Sequence, residues 1–469
     1  MKYKLLFVVF CWIMPAWLWA QAIHFEKDSL SQMFAKARQQ NKPVFLLLAP
    51  PPPSASLPLA LKAERSKSGL FAPAVAEKLN QTFLSKELAF GTAEAGAAAR
   101  RYGVTGYPSY LYFNPDGNLL YRRLGNSSSV DTYLRDIAAA EQARQDPQNL
   151  SSLAAEVQQG SASIDQLKRY LTKRRDLRLP AEPAVLDAYA RQLPAGAFYQ
   201  PAEVLFILDN GPVVGSPAFQ LSHVNQKLID SLYKNLPLQR RLAFNSLIIK
   251  NTMAQAEATK DRALAEKGAN FARSTWNGDY IRGQRTYERT MLNFYQSVKD
   301  TASYLRQAVL YYERNYLNLP ADTVKKALEA LRVFRQRQSA LLQHLDSAAR
   351  QRAAGHTPVA GATTTVRPVA VGSPPASFLQ ELNNGAWAIY QTGTRNNNYL
   401  WHAINWSKRT VDLDPAPYNY DTLAHLLYRL GFYTEAESRE QQAASLARQQ
   451  KGSTSVYEHE LDKMRKRTL

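Results

Sequence analysis

Tyr102-Gly103-Val104-Thr105-Gly106-Tyr107-Pro108-Ser109-Tyr110-Leu111-Tyr112-Phe113-Asn114-Pro115-Asp116-Gly117 is the stretch that decides the fold of the N-terminal part of this chain. Residues 94–102 carry a helical pattern, and Gly103 is placed to end it. Tyr110-Leu111-Tyr112-Phe113 and Leu119-Leu120-Tyr121-Arg122 flank Asn114-Pro115-Asp116-Gly117, whose turn chemistry predicts a hairpin. Upstream, Val44-Phe45-Leu46-Leu47-Leu48-Ala49 is an unbroken apolar run, as expected of a strand buried on both faces. Asp28-Ser29 can cap a helix over 30–40, where Met33, Phe34 and Ala37 share a face, and Asn41-Lys42-Pro43 ends it. An extended start at 23–25, a helix over 73–80 and a strand over 82–85 fill the remaining places. Downstream, Gly125 and a helix over 130–140 close the unit. The order βαβαβαββα predicts an α/β sandwich built on a mixed sheet.

Between Ile23 and Ala140 this pattern resembles the thioredoxin-like superfamily. Residues 102–117 are similar to that family's run y-x-V-x-x-(Y/F)-P-T-x-x-x-F-x-x-x-G. The resemblance implies a thioredoxin-like fold and a cis Tyr107–Pro108 bond. It also implies that the loop of Tyr107, Pro108 and Ser109 offers backbone groups to an extended peptide, as an added strand does. The family places A-P-W-C-x-x-C directly after its central strand. Here the chain reads Ala49-Pro50-Pro51-Pro52-Pro53-Ser54-Ala55-Ser56, so the two thiol positions fall on Pro52 and Ala55. Thiol exchange needs a thiolate of lowered pKa and a partner sulfur, which proline and alanine cannot supply. Ser54 has no base nearby in sequence to activate it. The family's buried proton-accepting aspartate falls on Leu46. The expectation is a degenerate site with no catalytic residue, in a protein that is not an enzyme. Pro50–Pro53 favours a stiff polyproline II segment, either a rigid rim for a partner or a loop decayed after its function was lost.

Beyond residue 142 the strand signals fade. Helical periodicity runs over 150–158, 164–172, 182–192, 201–208, 224–234, 237–253, 259–272, 280–316 and 323–344. The fold class expected is thus an α/β thioredoxin-like sandwich followed by a mostly all-α helical-repeat region. Tyr280, Tyr287 and Phe294 recur every seven residues with Arg282, Arg285 and Arg289 between them. A nucleic-acid reader uses such a mixture, but a helix packing on its neighbour needs the same spacing, and packing is the preferred reading. Residues 354–375 turn to Ala, Gly, Thr, Val and Pro, the composition of a linker. Thr422-Leu423-Ala424, Leu427-Tyr428, Gly431, Ala436 and Ala443 then resemble the tetratricopeptide repeat across about 379–448. The domain order expected is a signal peptide over 1–22, a thioredoxin-like domain over 23–145, a helical domain over 146–350, a linker over 351–376 and tetratricopeptide-like repeats over 377–469.

The one cysteine of the 469 residues is Cys11. It lies in a segment with Lys2 and Lys4, an apolar run from Leu5 to Met14 and Ala20-Gln21-Ala22. That is the pattern of a cleavable export signal cut near Ala20 or Ala22. Phe10 stands where lipidation requires a small residue. The expected destination is the bacterial periplasm or the exterior, and the exported chain carries no thiol. The net charge is +19, or +17 without Lys2 and Lys4; it reads first as solvated basic helix faces and second as attraction to anionic envelope surfaces. No later stretch reaches the apolar length of a membrane span. The seven histidines show no HxxxH or HExxH spacing with a carboxylate, and no phosphate loop or G-x-S-x-G elbow occurs. Expected cofactors are none, and no metal or nucleotide is anticipated. Expected partners are other proteins or extended peptides, not nucleic acid. The leading reading is an exported, redox-inactive binding or assembly module; the alternatives are an accessory factor in thiol–disulfide exchange whose cysteines come from a partner, and a basic binder of anionic surfaces.

Overall fold

The computed structural model describes residues 22–51, 68–353, 377–450 and 452–469. Residues 1–21 of the expected export signal, residues 354–376 of the expected linker, and Pro52, Pro53 and Ala55 lie outside the described residues. The chain forms two compact units. The first has residues 22–51, 68–162 and 172–180 as its described part, so it takes in segments beyond the 23–145 span.

In the first unit, Ser29 and Gln32 form a capping box at the start of α1 (Leu30–Gln40). Asn41, at φ 47°, ends α1 by donating back to the Ala37 and Arg38 carbonyls. Strand β1 (Val44–Leu48) is buried at every residue. It is followed by α2 (Pro73–Thr82), β2 (Leu84–Leu88), α3 (Ala93–Arg101), β3 (Ser109–Phe113), β4 (Leu119–Leu124) and α4 (Val130–Gln145). The sheet order is β2-β1-β3-β4. β1 and β2 run parallel, while β3 is antiparallel to both β1 and β4. The expected opening strand at 23–25 reduces to one parallel bridge, Phe25 with Ser85. The strand expected at 82–85 begins at Leu84, because Thr82 completes α2.

Alternation along β1 feeds two cores. Val44, Leu46 and Leu48 pack with Met33 and Phe34 of α1 and Ala95 and Ala98 of α3. Phe45 and Leu47 pack with Val75 and Leu79 of α2 and Tyr133 and Ile137 of α4. The hairpin tip closes where the Asn118 N–H donates to Asn114 Oδ1 at 2.8 Å and the Gly117 N–H to the Asn114 carbonyl at 3.1 Å. The result is a small mixed sheet between two helical layers, consistent with a thioredoxin-like region. Residues beyond α4 are tied to it. Arg122 donates to the carbonyls of Tyr102 and Leu177, both at 2.9 Å, and Lys173 meets Asp146 at 2.5 Å.

The rest of the chain is predominantly helical. In order come α5 (Leu150–Gln158), α6 (Ile164–Asp176), α7 (Pro183–Gln192), α8 (Pro201–Asp209), α9 (Pro217–Ser222), α10 (Gln226–Asn235), α11 (Leu238–Thr259), α12 (Arg262–Ser274), α13 (Tyr280–Ser297), α14 (Thr301–Tyr312) and α15 (Ala321–Ala353). After the undescribed segment follow α16 (Ser377–Gln391), α17 (Asn397–Leu413), α18 (Pro417–Arg429), α19 (Tyr433–Gln449) and α20 (Ser455–Arg465). The single helix expected over 280–316 is broken. Lys299 adopts φ 60°, Asp300 caps α14 by accepting from the Ser303 N–H, and a π turn runs from Glu313 to Leu317. The seven-residue spacing there serves packing: Phe294 is buried and Tyr287 half-buried against the large core, whereas Tyr280 is exposed. Among the described residues, no helix is long and apolar enough to cross a membrane.

Candidate functional site

Strand direction and register gather the site. β1 and β2 run in the same direction, and Leu48 pairs with Leu88. β3 starts where they finish, Leu48 pairing with Ser109, and β4 ends there, Leu124 pairing with Ser109. One end of the sheet therefore collects Pro50 and Pro51 after β1, Phe90 after β2, the Val104–Pro108 strap before β3 and Leu124 of β4. Gly103 starts the strap at φ 60°, and a Cβ there would lie 2.7 Å from the Arg178 carbonyl oxygen, so glycine meets both a backbone and a space requirement.

The Tyr107–Pro108 peptide bond is cis. The Pro108 carbonyl accepts the Gly125 N–H at 2.9 Å. Ser109 is fully buried, and its hydroxyl donates to the Gly106 carbonyl at 2.7 Å. Of the three residues expected to meet a partner, Ser109 thus turns inward and the Pro108 carbonyl is engaged. The N–H and carbonyl of Tyr107 have no hydrogen-bond partner among the described residues. The Tyr107 ring is half-buried and stands edge-on to Phe90, with centroids 5.1 Å apart and planes at 89°. Phe90 is 46% exposed and Leu124 43% exposed. These two apolar neighbours were not among the residues singled out from sequence. Their only signal is a large apolar residue at the outer end of a strand, which gains meaning once the strand order is known.

Leu46 is fully buried within β1, where the family resemblance implies an acid. Its parallel neighbour in register is Lys86, whose buried ammonium donates to the Asp28 carbonyl and lies 3.9 Å from Glu94. Behind the sheet end, the Tyr110 and Tyr133 hydroxyls meet at 3.1 Å, and Tyr133 donates to Asn126 Oδ1 at 2.9 Å. Burial, reinforced by Tyr133, pushes the Tyr110 hydroxyl far above its ordinary range, so this phenol stays neutral. The described part of the sheet end thus offers hydrogen-bonding backbone and apolar surface. Side chains of metal-ligating type come together elsewhere, in the second unit, at Asp421, His425 and Glu440.

No protein-family model matches the chain. No curated protein matches it either. Among solved structures, a chain described as "DsbH Oxidoreductase" is similar to it at 15% sequence identity, over 26% of this chain and 88% of that one, with a TM-score of 0.21.

Proposed function

We propose that this protein is an exported, redox-inactive binding or assembly module of the bacterial envelope, whose first unit holds an extended peptide at the sheet end. The observation that carries the reading is the backbone N–H and carbonyl of Tyr107, which have no hydrogen-bond partner among the described residues, with exposed Phe90 and Leu124 at the same end of the sheet. Such a pair can extend a partner's hydrogen-bond ladder while the flanking apolar side chains take alternate residues of the peptide. The redox-inactive part rests on the sequence: beyond Cys11 there is no cysteine, and the thiol positions fall on Pro52 and Ala55. The helices from Ser377 onward, with tetratricopeptide-like spacing, would add a second protein-binding surface.

The test is a titration of the exported chain with fluorescently labelled extended apolar peptides, read by polarisation and by hydrogen exchange at Tyr107. Wild type should bind with protection centred on residues 105–109, and the double variant Phe90→Asp, Leu124→Asp should bind at least about tenfold more weakly, as loss of a 1.4 kcal/mol apolar contribution would give. Equal binding by the two proteins removes the sheet end from the reading. Insulin reduction by dithiothreitol should run at the buffer rate; turnover above it would remove the redox-inactive assignment.

A further inference from the structure

The last helices of the second unit bury charge where helix packing alone needs none. Asp421 and His425 lie one turn apart on α18, Glu440 comes from α19 and Glu460 from α20. Glu440 is 0% exposed and His425 4% exposed. One ligand-type atom from each of Asp421, His425 and Glu440 lies within 4.8 Å of the others.

Three features set this group apart from an ordinary buried ion pair. First, neither Glu440 carboxyl oxygen has an N–H or cationic donor among the described residues; the group beside it is another carboxyl, Asp421, with which it can bond only by sharing a proton. A buried polar group left this way costs free energy that native proteins normally avoid. Second, no lysine or arginine among the described residues pairs with Asp421 or Glu440; Lys463 is engaged by Glu460 at 2.8 Å. Third, the imidazole is fixed from several sides. Its Nε2 faces Glu460 Oε2 at 3.5 Å, its Nδ1 lies 3.5 Å from Asp421 Oδ1 and 2.9 Å from the Asp421 carbonyl, and the rings of Trp387 and Tyr390 stand edge-on to it, each at 5.2 Å. A carboxylate behind the distal nitrogen is the outer-shell arrangement that orients a metal-binding histidine.

We infer that Asp421, His425 and Glu440 form a binding site for a divalent first-row transition cation, with Glu460 as the outer-shell acceptor that aims the imidazole. Two carboxylates and one imidazole without sulfur suit Zn²⁺ or Mn²⁺ and disfavour a soft ion such as Cu(I). Ligands about 2.1 Å from a tetrahedral cation lie roughly 3.4 Å apart, so side-chain rotation of about an ångström closes the set. The cation supplies the positive charge that the Glu440 and Asp421 carboxylates lack. His425 Nδ1 exchanges its contact with the Asp421 carbonyl for the metal, while Nε2–H points to Glu460. In the metal-free chain burial, and then the neighbouring Asp421, raises the Glu440 carboxyl above its ordinary range. The motif escaped the sequence search because its ligands sit on two helices and only Asp421 and His425 share a spacing.

The experiment uses the full exported chain, purified without a histidine tag, stripped with chelator and titrated with ZnCl₂ and MnCl₂ by calorimetry, with CaCl₂ as the hard-ion control. Expected are about one Zn²⁺ or Mn²⁺ per chain and a rise in thermal midpoint, with little response to Ca²⁺. Glu440→Gln, nearly isosteric, should fold at least as stably as wild type in chelator yet lose both the binding and the midpoint shift. Glu460→Gln should retain binding but weaken it roughly 10–100-fold. If stripped wild type takes up no stoichiometric transition metal, or if Glu440→Gln and Asp421→Asn bind it as wild type does, the site assignment is overturned. The cluster is then a proton-sharing carboxyl pair beside His425.

Discussion

Strand β1 and helix α18 both bury apolar side chains in their units, yet only α18 adds titratable groups to them. β1 is apolar on both faces, and even the position where the family resemblance implies an acid holds Leu46. Helix α18 carries Asp421 and His425 against Glu440, which is fully buried. The first unit, whose fold is consistent with a thioredoxin-like region, has no titratable side chain along its central strand. The part that reads as plain helices keeps a cluster costly to bury. The difference teaches that the sheet's central strand and the chemically capable buried groups lie in different units of this molecule.

The strongest way to break the comparison is to attack the apolar strand. Phe45→Ala removes a fully buried ring packed on Tyr110 and Tyr112, with centroids 6.5 Å and 5.1 Å away. It should cost about 3–5 kcal/mol. Hydrogen exchange should show faster opening of β1 and β3 peptides while those of α16–α19 keep their protection. A loss confined to less than about 1 kcal/mol would mean that packing in β1 is not what holds the first unit.

Glu440→Gln tests the other side. Without metal, removing an uncompensated carboxyl from the interior should leave the second unit unchanged or more stable by about 1 kcal/mol, read as the urea midpoint in chelator. Destabilisation beyond about 2 kcal/mol would show that the carboxyl makes a stabilising interaction in the metal-free chain, which the absence of a donor near it argues against.

The smallest effect concerns His223 at the end of α9. Its ring stacks on Phe219 with centroids 4.2 Å apart, and Nδ1 lies 2.9 Å from the Phe219 carbonyl. Burial holds this imidazole below the ordinary histidine value of 6.5. The unfolded chain therefore binds the proton more readily, so the contribution is present above about pH 6.5 and is lost as pH falls below it. Between pH 7.5 and 5.5 wild type should lose somewhat more stability than His223→Gln, by under about 1 kcal/mol. Equal pH slopes would remove His223 as a source of acid sensitivity and leave the buried carboxyls to account for any slope.

Much of the first unit was legible because it depends on local signals. The Ser29 cap, the unbroken apolar run of β1 and the turn at Asn114–Gly117 each specify their own geometry, and the observed elements follow within a few residues. The boundary errors have local causes as well. Thr82 still belongs to α2, so the strand starts later than expected, and Lys299 breaks the 280–316 pattern by taking a left-handed conformation that a lysine does not advertise. Of the Tyr107–Ser109 loop, the cis Tyr107–Pro108 bond was readable from the motif. The inward turn of Ser109 and the company of Phe90 and Leu124 were not, since they follow from strand order and register.

The amino-acid sequence by itself determined the order of elements, the composition of the apolar strand and the lack of any cysteine after Cys11, because these are properties of neighbours along the chain. Only the tertiary structure decided which distant residues share a space: Phe90 against Tyr107, and Glu440 against Asp421 and His425. Helical periodicity tells which face of a helix points inward but not which helix lies opposite, so the one-turn spacing of Asp421 and His425 gives no sign that Glu440 of the next helix completes the cluster.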